Sequence, residues 1–107
     1  MQYFSTRGAG PVTLDDALRL GIAPDGGLFL PETLPQFDVA DFDAAESISE
    51  VAHVLLGPFF AGSALERHLG DILAETFSFP IPATRLPVEG HDVSLLELYH
   101  GPTVAFK

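Results

Sequence analysis

The chain has 107 residues, enough for one domain of ordinary size and too few for two. Apolar residues make up 47% of it, which supports a packed core, and five basic against fifteen acidic residues leave a formal charge of −10. So acidic a chain does not bind nucleic acid or an anionic membrane by its field, and zero cysteines exclude disulfides and thiolate metal sites. The absence of cysteine fits a reducing compartment. Met1-Gln2-Tyr3-Phe4 lacks the basic and apolar regions of a signal peptide, and the stretch between Glu50 and Glu66 is too short and too broken by Gly57, Pro58 and Gly62 to span a bilayer. A cytoplasmic globular chain is expected.

The elements follow in order. Gln2 to Ser5 reads as a short strand. Thr13-Leu14-Asp15-Asp16 is a helix start, with a hydroxyl followed three residues later by an acid, and Gly21 is its stop. Pro24-Asp25-Gly26-Gly27 is a turn feeding a strand Leu28-Phe29-Leu30 that Pro31 closes. A second helix starts at Ser47-Ile48-Ser49-Glu50, carries Ile48, Val51, Ala52 and Leu55 at i, i+3, i+4, i+7, and is expected to end at Gly57-Pro58. A third starts at Ser63-Ala64-Leu65-Glu66 and aligns Leu65, Leu69, Ile72, Leu73 and Thr76, with Phe77 at its end. These two helices make an antiparallel pair. Pro80 to Pro87 reads as an extended linker, and Val93 to Tyr99 as the strongest strand. Its nearly continuous apolar character suggests cover on both faces, the habit of α/β proteins. The expected order is β, α, β, α, α, β.

Few residues carry a chemical signal. The four histidines show no metal-ligand spacing: His53 falls near an apolar helical stripe, His68 among charged neighbours and His91 in a polar turn. Asp15, Asp16, Glu50 and Glu66 offset helix dipoles, and Asp38, Asp41 and Asp43 form a solvated acidic loop. Glu97 is the one acid expected to be buried, either as a strand residue with a partner or as a pocket residue. Ser5-Thr6-Arg7-Gly8 is a candidate anion-binding turn, or simply a turn in which Arg7 pairs with an acid. No glycine-rich nucleotide loop is present. Lys107 stands apart as the only lysine, placed after an apolar strand, a His-Gly-Pro-Thr turn and Val104-Ala105-Phe106. A desolvated lysine is a nucleophile able to condense with a carbonyl, and ligands of α/β sheets bind beyond the carboxyl ends of strands. The residues alone equally allow a lysine snorkelling from the first turn of a helix. A chain finishing in such an apolar strand and turn reads as the front portion of a longer protein.

Leu96-Glu97-Leu98-Tyr99-His100-Gly101-Pro102-Thr103-Val104-Ala105-Phe106-Lys107 resembles the cofactor-lysine motif of the threonine synthase family, with Tyr99 and Val104 as conservative departures. Tyr3-Phe4-Ser5-Thr6-Arg7-Gly8 and Gly21-Ile22-Ala23-Pro24-Asp25-Gly26-Gly27-Leu28-Phe29-Leu30-Pro31-Glu32 resemble two more family segments, in the right order. The resemblance implies an α/β fold class: the N-terminal part of a fold-type-II, tryptophan synthase β-like enzyme, helices with a small sheet and incomplete on its own. Residues 1–92 would be its N-terminal domain, and residues 93–107 the first strand and turn leading into the catalytic domain. It further implies pyridoxal 5'-phosphate as cofactor, with Lys107 as both the cofactor-binding and the catalytic residue. The implied reaction converts O-phospho-L-homoserine and water to L-threonine and phosphate, with the cofactor phosphate site and most substrate contacts lying downstream. A phospho-lyase of the same family and a non-enzymatic acidic interaction module are the alternatives. On the threonine synthase reading, the 107 residues alone are expected to be inactive.

Overall fold

The computed structural model of the chain describes residues 1–102. Its order is β1 (Tyr3–Ser5), α1 (Leu14–Leu20), β2 (Phe29–Pro31), α2 (Ile48–Phe60), α3 (Leu69–Thr76), β3 (Ala83–Leu86) and β4 (Val93–Leu96). Short 3₁₀ turns, Val39–Phe42 and Glu66–His68, precede α2 and α3. The sheet content is two separate antiparallel pairs, β1 with β2 and β3 with β4.

The N-terminal pair is built locally. Tyr3 faces Pro31, Phe4 faces Leu30 and Ser5 faces Phe29. On the other side of β1, Tyr3 and Val12 exchange both backbone hydrogen bonds at 2.9 Å, so residues 6–11 form a closed excursion. Helix α1 begins as its sequence requires. The Thr13 hydroxyl accepts the Asp16 N–H at 3.1 Å, and Gly21 ends the helix at φ 70°, a left-handed conformation that glycine adopts without a side-chain penalty.

Helix α2 starts in a complete capping box. Ser47 Oγ accepts the Glu50 N–H, and Glu50 Oε2 accepts the Ser47 N–H at 2.8 Å. Its end departs from expectation. The helix runs through Gly57-Pro58 to Phe60. Proline there removes one N–H donor in the last turn, and Phe60 packs against the core two residues later. The buried stripe is also rotated from the predicted one. Ala52 is buried, with Leu56 and Phe60 packed beside it, whereas Ile48 and Leu55 are exposed. The facing stripe on α3 is Leu69, Leu73 and Phe77, and Leu69 and Leu73 are only 2% and 3% exposed. Two stripes of residues four apart therefore make the core, as helix geometry allows.

The third helix starts later than Ser63. Ser63 Oγ is buried without a hydrogen-bond partner, and α3 begins at Leu69 after the Glu66–His68 turn. Glu66 still reaches back, its Oε2 accepting the Gly62 N–H at 2.8 Å. The expected linker is a strand, because residues 83–86 pair in register with β4, Ala83 facing Leu96 and Leu86 facing Val93. Strand β4 stops at Leu96 rather than Tyr99. Covered faces are not found there, since all four of its residues are exposed.

Candidate functional site

Two constellations gather the polar groups that the sequence singles out. The first joins the turn after β1 to the turn before β2. Asp25 Oδ1 accepts the Ser5 hydroxyl at 2.6 Å and the Gly27 N–H at 3.0 Å, and Oδ2 accepts the Ala9 N–H at 3.0 Å. The Ser5 hydroxyl is the main reason that this carboxyl sits below its ordinary range, with the Gly27 N–H next. Thr6 closes the same contact, its hydroxyl accepting the Leu28 N–H at 3.0 Å. A Cβ at Gly27 would overlap Ser5 Oγ and lie 3.0 Å from the Arg7 nitrogen, so glycine is required there by space. Arg7 does not pair with a carboxylate: its Nη1 donates to the backbone oxygen of Asp25 at 3.2 Å. The Ser5 and Thr6 hydroxyls are committed to this lock, which fits the reading of a structural turn.

The second constellation lies just past β4. Glu97 sits one residue beyond the strand, and its N–H still bonds to Pro82 O at 3.0 Å, extending the ladder. Its side chain is 15% exposed. Thr84 on β3 donates its hydroxyl to Oε1 at 2.6 Å, while Tyr99 O–H at 2.9 Å and His100 Nε2 at 2.6 Å converge on Oε2. The Tyr99 and His100 rings stack obliquely, with centroids 4.7 Å apart. Three donors on one carboxylate, Thr84 first, then His100 and Tyr99, lower its pKa from 4.5 to about 2. The same bond pushes the Tyr99 phenol up. Glu97 is thus a strand-end residue with partners, the Thr84 hydroxyl contributing most, ahead of the His100 ring and the Tyr99 hydroxyl.

The chain beyond is held again at Gly101. This glycine is buried, and a Cβ added to it would lie 2.9 Å from Phe79 Cζ. Phe79 lies three residues past the end of α3, so the turn after β4 is tied both to β3 and to the segment leaving the helical pair. Lys107, the residue to which this turn leads, lies outside the described residues. The histidines are dispersed: His53 is exposed on α2, His68 Nε2 accepts the Arg67 Nε–H at 3.0 Å, and His91 is exposed between β3 and β4. Among the described residues, no three His, Asp or Glu side chains form a group able to hold a metal ion. No helix among them is long and apolar enough to cross a membrane.

The sequence singled out Ser5-Thr6-Arg7 and the Asp25 turn separately, and their union was missed. The spacing of Gly26-Gly27 after an acid was its only available signal. Thr84 was missed as well, because it stood inside a segment read as a linker.

The chain is thus a small α/β segment whose polar contacts fix turns, with a strand-end carboxylate gripping the residues that leave β4. Residues 2–77 match the family described as Threonine synthase N terminus, and the chain belongs to that family. Threonine synthase of Pseudomonas aeruginosa is 39% identical over 113 residues, covering 100% of this chain and 24% of that protein. Threonine synthase-like 2 of Homo sapiens is 40% identical over 116 residues, covering 100% of this chain and 23% of that protein. The crystal structure of PLP-bound threonine synthase from Brucella melitensis superposes with a TM-score of 0.81 at 38% identity, over 99% of this chain and 24% of that one. Threonine synthase from Escherichia coli gives 0.79 at 30% identity, over 99% and 25%. The chain spans about a quarter of the length of these relatives.

Proposed function

We propose that this chain is the N-terminal part of a pyridoxal-phosphate-dependent threonine synthase, which converts O-phospho-L-homoserine and water to L-threonine and phosphate in the cytoplasm. Residues 1–92 form its N-terminal domain, and residues 93–107 lead into the catalytic domain. The observation that carries this reading is end-to-end similarity to threonine synthases, one of them described as PLP-bound, at 38% identity and a TM-score of 0.81.

The chain's donor set fits one part of that cofactor. Lys107 is its only lysine, and a primary amine is the group that condenses with an aldehyde. The four arginines do not converge on a phosphate cradle: Arg19 pairs with Asp16, Arg85 with Asp92, Arg67 with His68 and Arg7 with the Asp25 carbonyl. Cofactor phosphate recognition therefore falls to the remainder of the enzyme. When bound, pyridoxal phosphate supplies an electron sink for carbanion chemistry beside the substrate amine. Lys107 has two tasks on this reading. Its Nζ would hold the cofactor, and the same amine would take up and return a proton beside the substrate.

The test is borohydride reduction of the full-length enzyme followed by peptide mapping, together with assay of threonine and phosphate from phosphohomoserine. The pyridoxyl group is expected on Lys107, and threonine is expected in step with phosphate. A label on another lysine sinks the assignment of Lys107. Phosphate without threonine replaces the synthase by a phospho-lyase.

A further inference from the structure

The proposed chemistry does not use the Glu97 carboxylate, yet that group has the densest set of side-chain hydrogen bonds in the second constellation. It is a poor candidate for proton transfer: both oxygens are occupied, and the group stays ionised far below neutral pH. Its partners show what it does instead. Oε1 is held from β3 by Thr84, and Oε2 is held from the departing chain by Tyr99 and His100. The carboxylate is thus a clasp between the strand behind it and the turn ahead of it. The Phe79 ring closes over Gly101 immediately afterwards. These two grips hold the chain leaving β4 as far as Gly101, and Lys107 follows six residues later in the sequence.

We propose that Glu97 is a positioning residue, whose three-donor clasp fixes the direction in which the chain leaves β4 and so sets how the Lys107 amine is presented to its cofactor. The inference rests on the assignment of Lys107 above and deepens it. A neutral amide is the informative replacement. Glu97→Gln keeps the side-chain volume but removes the negative charge and one acceptor oxygen, so the charge-assisted bonds that hold the β3 side and the turn side of the clasp weaken. Thr84→Val keeps its shape and opens only the β3 side. Tyr99→Phe removes one of the two donors on the turn side.

The experiment uses the full-length holoenzyme and its apo form. In the apo form, exchange of the Glu97 amide, whose N–H bonds to Pro82 O, is expected to accelerate in Glu97→Gln while the α2 and α3 amides stay protected. In the holoenzyme, the fraction of cofactor trapped on Lys107 by borohydride is expected to fall. The turnover number should fall by about 100-fold, the scale of a small misplacement of a reacting group, with KM unchanged. Thr84→Val and Tyr99→Phe are expected to shift the same readouts in the same direction by less. Wild-type exchange, trapping and turnover in a folded Glu97→Gln enzyme overturn the proposal. If that variant does not fold, wild-type values in Thr84→Val overturn it instead. The two layers separate cleanly: an indifferent variant with the wild-type label on Lys107 removes the positioning role alone, whereas a wild-type label elsewhere removes both.

Discussion

At the scale of single residues, the acidic groups that matter are those whose ionised form is bound by donors. The folded pKa of Glu97 is lowered from 4.5 to about 2, chiefly by the Thr84 hydroxyl. A lowered folded pKa favours the folded arrangement above the unfolded value and loses that contribution as pH falls through the folded one. Protection of the Glu97 amide, which bonds to Pro82 O, should therefore weaken as pH drops from 4.5 toward 2, and Glu97→Gln should flatten that dependence; a profile unchanged by the substitution would contradict it. Gly27 offers a steric counterpart. Its missing side chain leaves room for Ser5 Oγ, so Gly27→Ala forces the β1 and β2 turns apart. The expected cost is about 1–3 kcal/mol by denaturant titration, the usual range for overpacking.

At the scale of elements, the chain was legible where local chemistry decides and illegible where distant partners do. Thr13 and Ser47 cap their helices as their spacing from Asp16 and Glu50 implied, and Gly21 stops α1. Pro58 failed as a stop because Phe60 buries against α3 in the turn that contains it, and packing outweighs one lost hydrogen bond. Strand β3 was hidden by Pro80, Pro82 and Pro87, and only its long-range pairing with β4 makes it a strand. The clasp at Glu97 was half legible: an acid in an apolar strand demanded partners, but Thr84 could not be named without β3. The helical pair, by contrast, holds its own core. Leu73→Ala should cost about 2–5 kcal/mol and lower the denaturation midpoint, as expected for deleting a buried leucine. Ser47→Ala should cost about 1 kcal/mol, through the lost cap. A Leu73→Ala effect no larger than that of Ser47→Ala would mean that the α2–α3 contact is not the main source of stability.

At the scale of the whole molecule, the chain buries little for its length. Its radius of gyration is 17.3 Å, against roughly 13 Å for a compact domain of this size. Part of the apolar surface left uncovered lies on the β3–β4 hairpin, where Leu86, Val93, Leu95 and Leu96 are exposed, with Val88 and Leu98 beside them. A two-stranded hairpin is marginal in water, and each of its strands presents an open edge. The 107-residue chain by itself is therefore expected to self-associate through this hairpin. A net charge of −10 opposes that association by mutual repulsion, which salt screens over a distance of about 10 Å at 0.1 M ionic strength. Sedimentation velocity should show the average mass rising with concentration, and rising further when salt is added. Leu95→Lys places a charge on the strand pair and should suppress the effect, as charged residues on edge strands do. A species that stays monomeric at all concentrations and salt levels would show that the hairpin's apolar surface and open edges do not drive pairing.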